Sequence, residues 1–406
     1  MIVSGNSLDY LPTHPEKSVQ LCVTSPPYFQ LRNYGTPPVR FGGDPNCGHR
    51  WHQSKATLLH DNRNALHGKQ DAVIGERGQT HINSKTLLFS STCEICGMWE
   101  GQLGLEPTVD MFVEHLLQIF KGVKRVLRDD GVLFVNMGDS YGNGRKGMAN
   151  KSLLMVPERF AIAMCDDGWT LRNKIVWAKQ EYNGKDNKVY GKALPSSATD
   201  RLSSAWEVIY FFSKTSRCKS RIGNVGLPYT EETVGRINRA FKLIEKTGAA
   251  CTDDNKSEWD KPCETGSDGL RHRVYSKFLK DKAPLEMVRK QRRKLPDLWR
   301  INTQSFRGAH YATYPPLLPL LPILMFTDPG DVVLDPFAGS GTTLKVTDSL
   351  KRVPLGIEIG EANVEIINHR MREDAETHFI RNIVKESFPD VYAELFPADS
   401  VQLSCL

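Results

Sequence analysis

A short apolar run, Val332–Leu334, breaks at Asp335-Pro336 into Phe337-Ala338-Gly339-Ser340-Gly341, and this stretch limits the fold more than any other. Two glycines this soon after a strand specify a turn whose backbone comes closer to a ligand than a Cβ would allow. A helix starting beyond such a turn offers its free N–H groups to polar or anionic partners. Strand, turn, helix and strand (the last ending at LGIE, 355–358) form the unit of a parallel α/β sheet. The same rhythm occurs earlier. Thr108 caps an expected helix with Asp110 in its first turn and Phe112, Leu116, Ile119, Phe120, Val123, Val126 and Leu127 on one face. Gly131 is expected to close that helix, with GVLFVNMGD as the buried strand after it. A second helix is expected from Leu153 to Asp166, then strands in WTLRNKIVWAK and SAWEVIYFFSK around a polar loop.

Composition excludes several classes. The 406 residues are 40% hydrophobic and 25% charged, which rules out disorder of the whole chain. The most apolar stretch, Tyr314 to Phe326, is interrupted by Pro315, Pro316, Pro319 and Pro322, so no membrane span is expected. The start, MIVSGNSLDY, lacks a signal peptide's basic and apolar regions, and nine cysteines do not form a secreted disulfide pattern. A cytoplasmic protein is expected. Its net charge is only +6, but 271–300 holds eleven Lys and Arg against three acids, a local surplus of eight. Such a run, including Arg289, Lys290, Arg292 and Arg293, is either a solvated face or a track for phosphates.

Two further features carry chemistry. Glu358 ends the strand after the glycine turn, seventeen residues past Gly341. An acid there can accept from both hydroxyls of a ribose, so the pair suggests a nucleoside-containing cofactor. The spacing lacks the third glycine of a dinucleotide fingerprint and the lysine of a P-loop, which disfavours an oxidoreductase or NTPase. In TSPPY, 24–28, two prolines remove two backbone donors and fix an extended turn. The Ser25 and Pro26 carbonyls, the Ser25 hydroxyl and the flat face of Tyr28 suit an amino group on a planar ring.

TSPPY followed far downstream by DPFAGSGTT resembles the amino-methylating DNA methyltransferases, in the permuted order of their β group. The resemblance covers roughly 1–35, 100–215 and 296–371. It implies a Rossmann-like, circularly permuted α/β fold that transfers a methyl group from S-adenosylmethionine to an exocyclic amine in double-stranded DNA. It implies catalytic roles for Ser25, Pro26, Pro27 and Tyr28. Asp335, Phe337, Gly339 and Gly341 would cradle the methionine and sulfonium portion, Glu358 the ribose, and His310 and Thr313 of GAHYATYP the methionine end. IVWAK, 175–179, resembles the segment flanking the flipped base. Where the family often has aspartate against the cofactor adenine this chain has Asn6, whose amide can still hydrogen-bond there. A leading serine favours cytosine N4, with adenine N6 the alternative. A C5-type enzyme would need an attacking cysteine, and Pro262-Cys263 lies in a polar loop without a strand before it. An inactive DNA-binding module would need a broken SPPY or glycine turn, and both are intact.

The expected organisation is a methyltransferase domain in parts, 1–35, 107–214 and 301–371, with an insertion at 36–106, a basic target-recognition region at 215–300 and a helical tail at 372–406. The insertion lacks apolar residues for a core of its own. It holds Cys47-x-His49 and, 44 residues beyond that histidine, Cys93-x2-Cys96-Gly97. A Cys-x2-Cys-Gly knuckle turns both thiolates to one point, and tetrahedral zinc takes four N/S ligands. Cys47, His49, Cys93 and Cys96 are therefore a candidate structural zinc site, with His52 an alternative to His49. It also resembles an insertion in phage and bacterial relatives of this group. A companion restriction enzyme is a candidate partner.

Overall fold

The computed structural model describes residues 1–56, 88–144, 148–183, 186, 188–191, 198–228, 292–303 and 313–397. Eight strands form the main sheet: β1 (Ile2–Ser4), β2 (Val19–Thr24), β3 (Leu127–Met137), β4 (Thr170–Ala178), β5 (Trp206–Ser213), β6 (Leu298–Arg300), β7 (Val332–Asp335) and β8 (Val353–Glu358). Their order is β1-β8-β7-β2-β3-β5-β4-β6. Every pairing is parallel except those of β5, which runs antiparallel to β3 and β4. All six residues of β2 are buried, as a central strand covered on both faces requires.

Among the described residues the α-helices are α1 (Ser7–Tyr10), α2 (Val109–Val126), α3 (Val156–Asp166), α4 (Leu317–Phe326), α5 (Thr342–Ser349), α6 (Glu361–Met371), α7 (Asp374–Ser387) and α8 (Pro389–Leu395). None of the described helices is long and apolar enough to cross a membrane. The sheet is Rossmann-like with a switch in direction. From β7 the chain passes through α5 to β8 on one side, while from β2 it passes through α2 to β3 on the other. The crevice between β7 and β2, at the carboxyl ends of both, is where open α/β sheets bind ligands.

Thr108 caps α2 by accepting from the Met111 N–H at 3.3 Å, and Phe112, Leu116, Ile119, Phe120, Val123 and Val126 bury its expected face. Three sequence expectations change. Gly131 does not close α2: Leu127 already pairs with Val19, and the register jumps to Leu21 opposite Val132, so Gly131 lies in a bulge. Helix α3 begins at Val156 rather than Leu153. Met155 is left-handed (φ 56°), and the Asp139 carboxylate accepts the Met155 and Val156 N–H groups at 3.0 and 3.1 Å. The polar loop between β4 and β5 contains a hairpin, Gln180–Asn183 with Lys188–Gly191.

Within 36–106, strands Val39–Phe41, Trp51–Ala56, Leu88–Cys93 and Trp99–Gly101 make a four-stranded antiparallel sheet. The stretch is less bare of core residues than its composition suggests. Phe41 and Trp99 are buried in the main cluster, Phe41 stacked on His115 of α2 at 4.3 Å. Short strands with one large aromatic each leave no periodicity to detect.

Two compact units result. The first, Met1–Lys219, Asp297–Ile323 and Thr327–Val384, holds the main sheet. The second is Ser220–Pro296, Leu324–Phe326 and Lys385–Leu406. In it Leu227–Pro228 pairs antiparallel with Arg292–Arg293, and α8 buries Val391, Tyr392 and Leu395. Arg289, Lys290, His310 and the rest of 271–291 in the basic stretch lie outside the described residues.

Candidate active site

Asp335 ends β7 and is 1% exposed. Its Oδ1 accepts from Thr24 Oγ1 at 2.6 Å and the Phe337 N–H at 3.1 Å; its Oδ2 accepts from Thr343 Oγ1 at 2.8 Å and Tyr314 Oη at 3.3 Å. Burial pushes this carboxyl up to about 6, against the four donors that pull it down. Each hydrogen bond to a charged group contributes roughly 1.5–3 kcal/mol. Asp335 thus fastens the end of β2, where TSPPY begins, to the glycine turn and the first turn of α5.

The turn follows directly. Gly339 and Gly341 have φ of 54° and 80°, which favour glycine. A Cβ on Gly341 would lie 3.0 Å from Ile367 of α6. Arg370 Nη1 donates to Ser340 O at 2.6 Å, Ser340 Oγ at 3.0 Å and Thr342 Oγ1 at 3.2 Å, while its other nitrogens pair with Glu376. Glu358, 7% exposed at the end of β8, accepts the Gly339 N–H at 2.7 Å on Oε2. Its Oε1 accepts from the Gly360 N–H at 2.8 Å and Asn363 Nδ2 at 3.0 Å. A carboxylate has about four lone-pair sites, so one on Oε2 stays available to a ribose hydroxyl. Asn6 lies close by: its Oδ1 caps α1 through Leu8 N–H at 3.1 Å, Gly5 N–H donates to Glu358 O at 2.9 Å, and Ser7 Oγ donates to Pro336 O at 2.5 Å. Phe337 packs half-buried on the core, and Thr313 stands next to Tyr314. The donor set, a buried acid beside left-handed glycine amides and a helix start, fits a nucleoside cofactor with a polar tail.

On the other side of the crevice β2 runs out into Ser25-Pro26-Pro27-Tyr28. Among the described residues nothing hydrogen-bonds to the Ser25 or Pro26 carbonyl, as expected for a proline-broken strand. The segment is gripped from both flanks. Gln30 N–H donates to Gly104 O at 2.6 Å, and Ser140 Oγ donates to Phe29 O at 2.9 Å. A Cβ on Gly104 (φ 92°) would sit 3.1 Å from Tyr28 O and 3.2 Å from Pro27 Cβ. Glu106, wholly buried and paired with His115 Nδ1 at 3.0 Å, holds the Gly104 N–H at 2.8 Å. The Tyr28 ring lies over Gly138, where a Cβ would come within 2.5 Å of it. Tyr28 Oη donates to Glu207 Oε2 at 2.8 Å and accepts from Asn136 Nδ2 at 2.8 Å. Burial, then the Glu207 charge, hold the phenol well above its ordinary pKa, so it stays neutral. Within IVWAK, Trp177 Nε1 donates to Ile301 O at 2.8 Å, and Lys179 lies 4.6 Å over the Trp177 ring while pairing with Glu207.

In the insertion one ligand atom each from Cys47, His49, Cys93 and Cys96 lies within 4.8 Å of the others, and it is His49 rather than His52 that joins them. Cys47 Sγ and Cys93 Sγ are 4.0 Å apart, and Cys96 Sγ and His49 Nδ1 3.5 Å. Tetrahedral zinc with ~2.3 Å bonds to sulfur sets its ligands about 3.8 Å apart, so the donor set fits. Burial and then the neighbouring thiols push Cys47 up to about 12. Burial would raise Cys93 too, but the Cys96 and Ile95 N–H groups, His49 and the Arg50 N–H bring it to about 6.

Sequence reasoning did not single out Thr24, Tyr314, Asn136, Glu207, Asn363 or Arg370. Glu207 left a trace, as a lone acid opening an otherwise apolar strand.

The family model of the N6/N4 DNA methylases matches residues 19–369. The chain is 27% identical over 393 residues to the Type II methyltransferase M.XycI of Xanthomonas campestris pv. cyanopsidis, covering 91% of this chain and 87% of that one. It is 26% identical over 402 residues to M.Cfr9I of Citrobacter freundii, covering 94% and 90%. A solved structure described as PvuII DNA methyltransferase (cytosine-N4-specific) aligns with 98% of this chain and 92% of its own, at 19% identity and a TM-score of 0.49. A family match that runs from the strand carrying TSPPY to the helix behind the glycine turn makes this chain a member of the N6/N4 DNA methylases, S-adenosylmethionine-dependent DNA amino-methyltransferases.

Proposed function

We propose that this enzyme methylates the exocyclic N4 amine of cytosine within a specific sequence of double-stranded DNA. The observation that carries the reading is the Thr24–Asp335 hydrogen bond at 2.6 Å, which joins the SPPY strand end to the glycine turn at the switch point. Binding determinants for a nucleoside cofactor and acceptors for an amine thereby share one crevice.

S-adenosylmethionine supplies an electrophilic methyl group. This chain's residues would hold it through Glu358 at the ribose, the Gly339–Gly341 turn and Phe337 along the middle, Asn6 at the adenine, and His310 and Thr313 at the methionine end. Asp335 contributes by fixing the strand ends. A target base inside a duplex is out of reach, so it must be flipped, and stacking on Tyr28 offsets part of the stacking it loses. The amine is a poor nucleophile because its lone pair is delocalised into the ring. The Ser25 hydroxyl and the Ser25 and Pro26 carbonyls accept hydrogen bonds from its N–H groups and turn the lone pair out of conjugation, and the proton released after transfer leaves along these hydrogen bonds to solvent. Holding the reacting atoms about 3–3.5 Å apart and in line is the rest of the catalysis. No covalent intermediate is needed. Ser25 leading the SPPY motif supports cytosine N4 over adenine N6.

The basic stretch with Arg289, Lys290, Arg292 and Arg293 is proposed to track phosphates. Cys47, His49, Cys93 and Cys96 are proposed to hold a structural zinc, whose four protein ligands leave no open position. A restriction enzyme of matching sequence in a bacterial cytoplasm is the proposed setting.

The test is to incubate the enzyme with unmodified bacterial genomic DNA and isotopically labelled S-adenosylmethionine, digest to nucleosides and weigh them. Labelled N4-methyl-2′-deoxycytidine is expected. Label only in N6-methyl-2′-deoxyadenosine would move the target to adenine, and label in neither would end the reading.

A further inference from the structure

Four side chains from separate parts of the sheet meet beneath Tyr28. Glu207 opens β5 opposite Trp177 on β4, and two residues along, Ile209 pairs with Asn136 on β3. The period of two in a strand puts Glu207, Trp177 and Asn136 on one face. Lys179 reaches Glu207 Oε1 from just past β4, leaving Oε2 for Tyr28 Oη at 2.8 Å and Asn136 Nδ2 at 3.0 Å. The carboxylate is only an acceptor, which forces the Asn136 amide to present its nitrogen to Glu207 and to Tyr28 alike. Asn136 Oδ1 is then left buried without a partner among the described residues. The Tyr28 hydroxyl is consequently fixed by one donation to Glu207 and one acceptance from Asn136, with the Ser25 side chain as a further neighbour, and Gly138 provides the space its ring occupies.

We infer that Glu207, neutralised by Lys179 and braced by Asn136, is a positioning residue that locks the Tyr28 ring at the angle at which it receives the flipped base. The inference rests on the stacking role proposed for Tyr28. A hydroxyl held at two points removes the ring's freedom to tilt, so the platform is set before the base arrives. Small misplacements of a reacting group cost large factors in rate, because attack requires near-linear approach. Glu207 acts only through the Tyr28 hydroxyl, so removing either group should remove the same advantage.

The experiment is a double-mutant cycle on the full-length enzyme. Tyr28→Phe, Glu207→Ala and the double variant are compared in single-turnover methylation of unmodified genomic DNA with radiolabelled S-adenosylmethionine. Cofactor affinity by calorimetry and the melting temperature serve as controls for folding. Each single change is expected to lower the rate about tenfold with cofactor affinity unchanged, and the double variant to fall no more than about twofold below the slower single. A double variant down about a hundredfold, the product of the singles, would overturn the clamp, and so would Glu207→Ala within about twofold of wild type. If Glu207→Ala does not fold, Glu207→Gln combined with Lys179→Met keeps the acceptor without an unpaired cation. That variant should stay within about threefold of wild type, and a rate as low as that of Tyr28→Phe would overturn the clamp. Tyr28→Ala separates the two claims. Wild-type rates in it would remove the stacking role itself, whereas a dead Tyr28→Ala beside a silent Glu207→Ala would remove only the clamp.

Discussion

Two carboxylates at the ends of neighbouring strands do different work, and their partners say which. Asp335 spends both oxygens on protein donors. Burial lifts it from 3.8 to about 6. A carboxyl that holds its proton more tightly folded than unfolded stabilises the fold most below its unfolded value, and that contribution is lost as pH rises through the folded one. Between about pH 4 and pH 6, wild type should therefore lose on the order of 2 kcal/mol relative to Asp335→Asn, which does not titrate there. Denaturant titrations at both ends of the window would show this, and parallel losses in the two proteins would refute it. Glu358 keeps acceptor capacity instead. Glu358→Ala should weaken S-adenosylmethionine binding by about 1–3 kcal/mol, the scale of hydrogen bonds to a charged group. Calorimetry showing unchanged affinity would remove it from the ribose. The sequence made Glu358 visible through its spacing from Gly341. It could not reveal that Asp335 also holds Thr24, since the two are 311 residues apart and meet only when β7 pairs with β2.

At the scale of elements, the strand–turn–helix units were legible because their signals are local: a cap at Thr108, an apolar stripe along α2, two glycines after β7. Boundaries set by distant groups were not. Helix α3 starts where Asp139, seventeen residues before Val156, supplies the acceptor. The small sheet within 36–106 was illegible because its strands are three to six residues long and its aromatic residues lie far apart in sequence. One element end is a direct handle on the site. Gly138 follows β3, and a methyl group there would come 2.5 Å from the Tyr28 ring. Gly138→Ala should lower single-turnover methylation at least about tenfold while cofactor affinity holds, since the ring moves and the turn does not. Unchanged turnover would mean that the ring's position is not critical.

At the scale of the molecule, a permuted order of motifs still yields one crevice, because the sheet and not the chain decides what is adjacent. TSPPY and DPFAGSG are separated by more than three hundred residues and emerge from neighbouring parallel strands. The cysteine knuckle was readable from spacing; that His49 and not His52 joins it needed the fold. Protein purified without chelator should carry about one zinc per chain, and Cys93→Ser should lose the metal together with several degrees of melting temperature. Metal analysis finding no zinc would leave the insertion ordered by its sheet alone.

The central proposal is a division of labour across the β7–β2 crevice, cofactor on one lip and amine chemistry on the other. Ser25→Ala tests it in one comparison of cofactor affinity with single-turnover methyl transfer. Wild-type affinity for S-adenosylmethionine is expected, with transfer slowed at least about a hundredfold, the scale of one lost proton-handling group. Transfer near the wild-type rate, or a loss of cofactor binding that accounts for the whole defect, would contradict it.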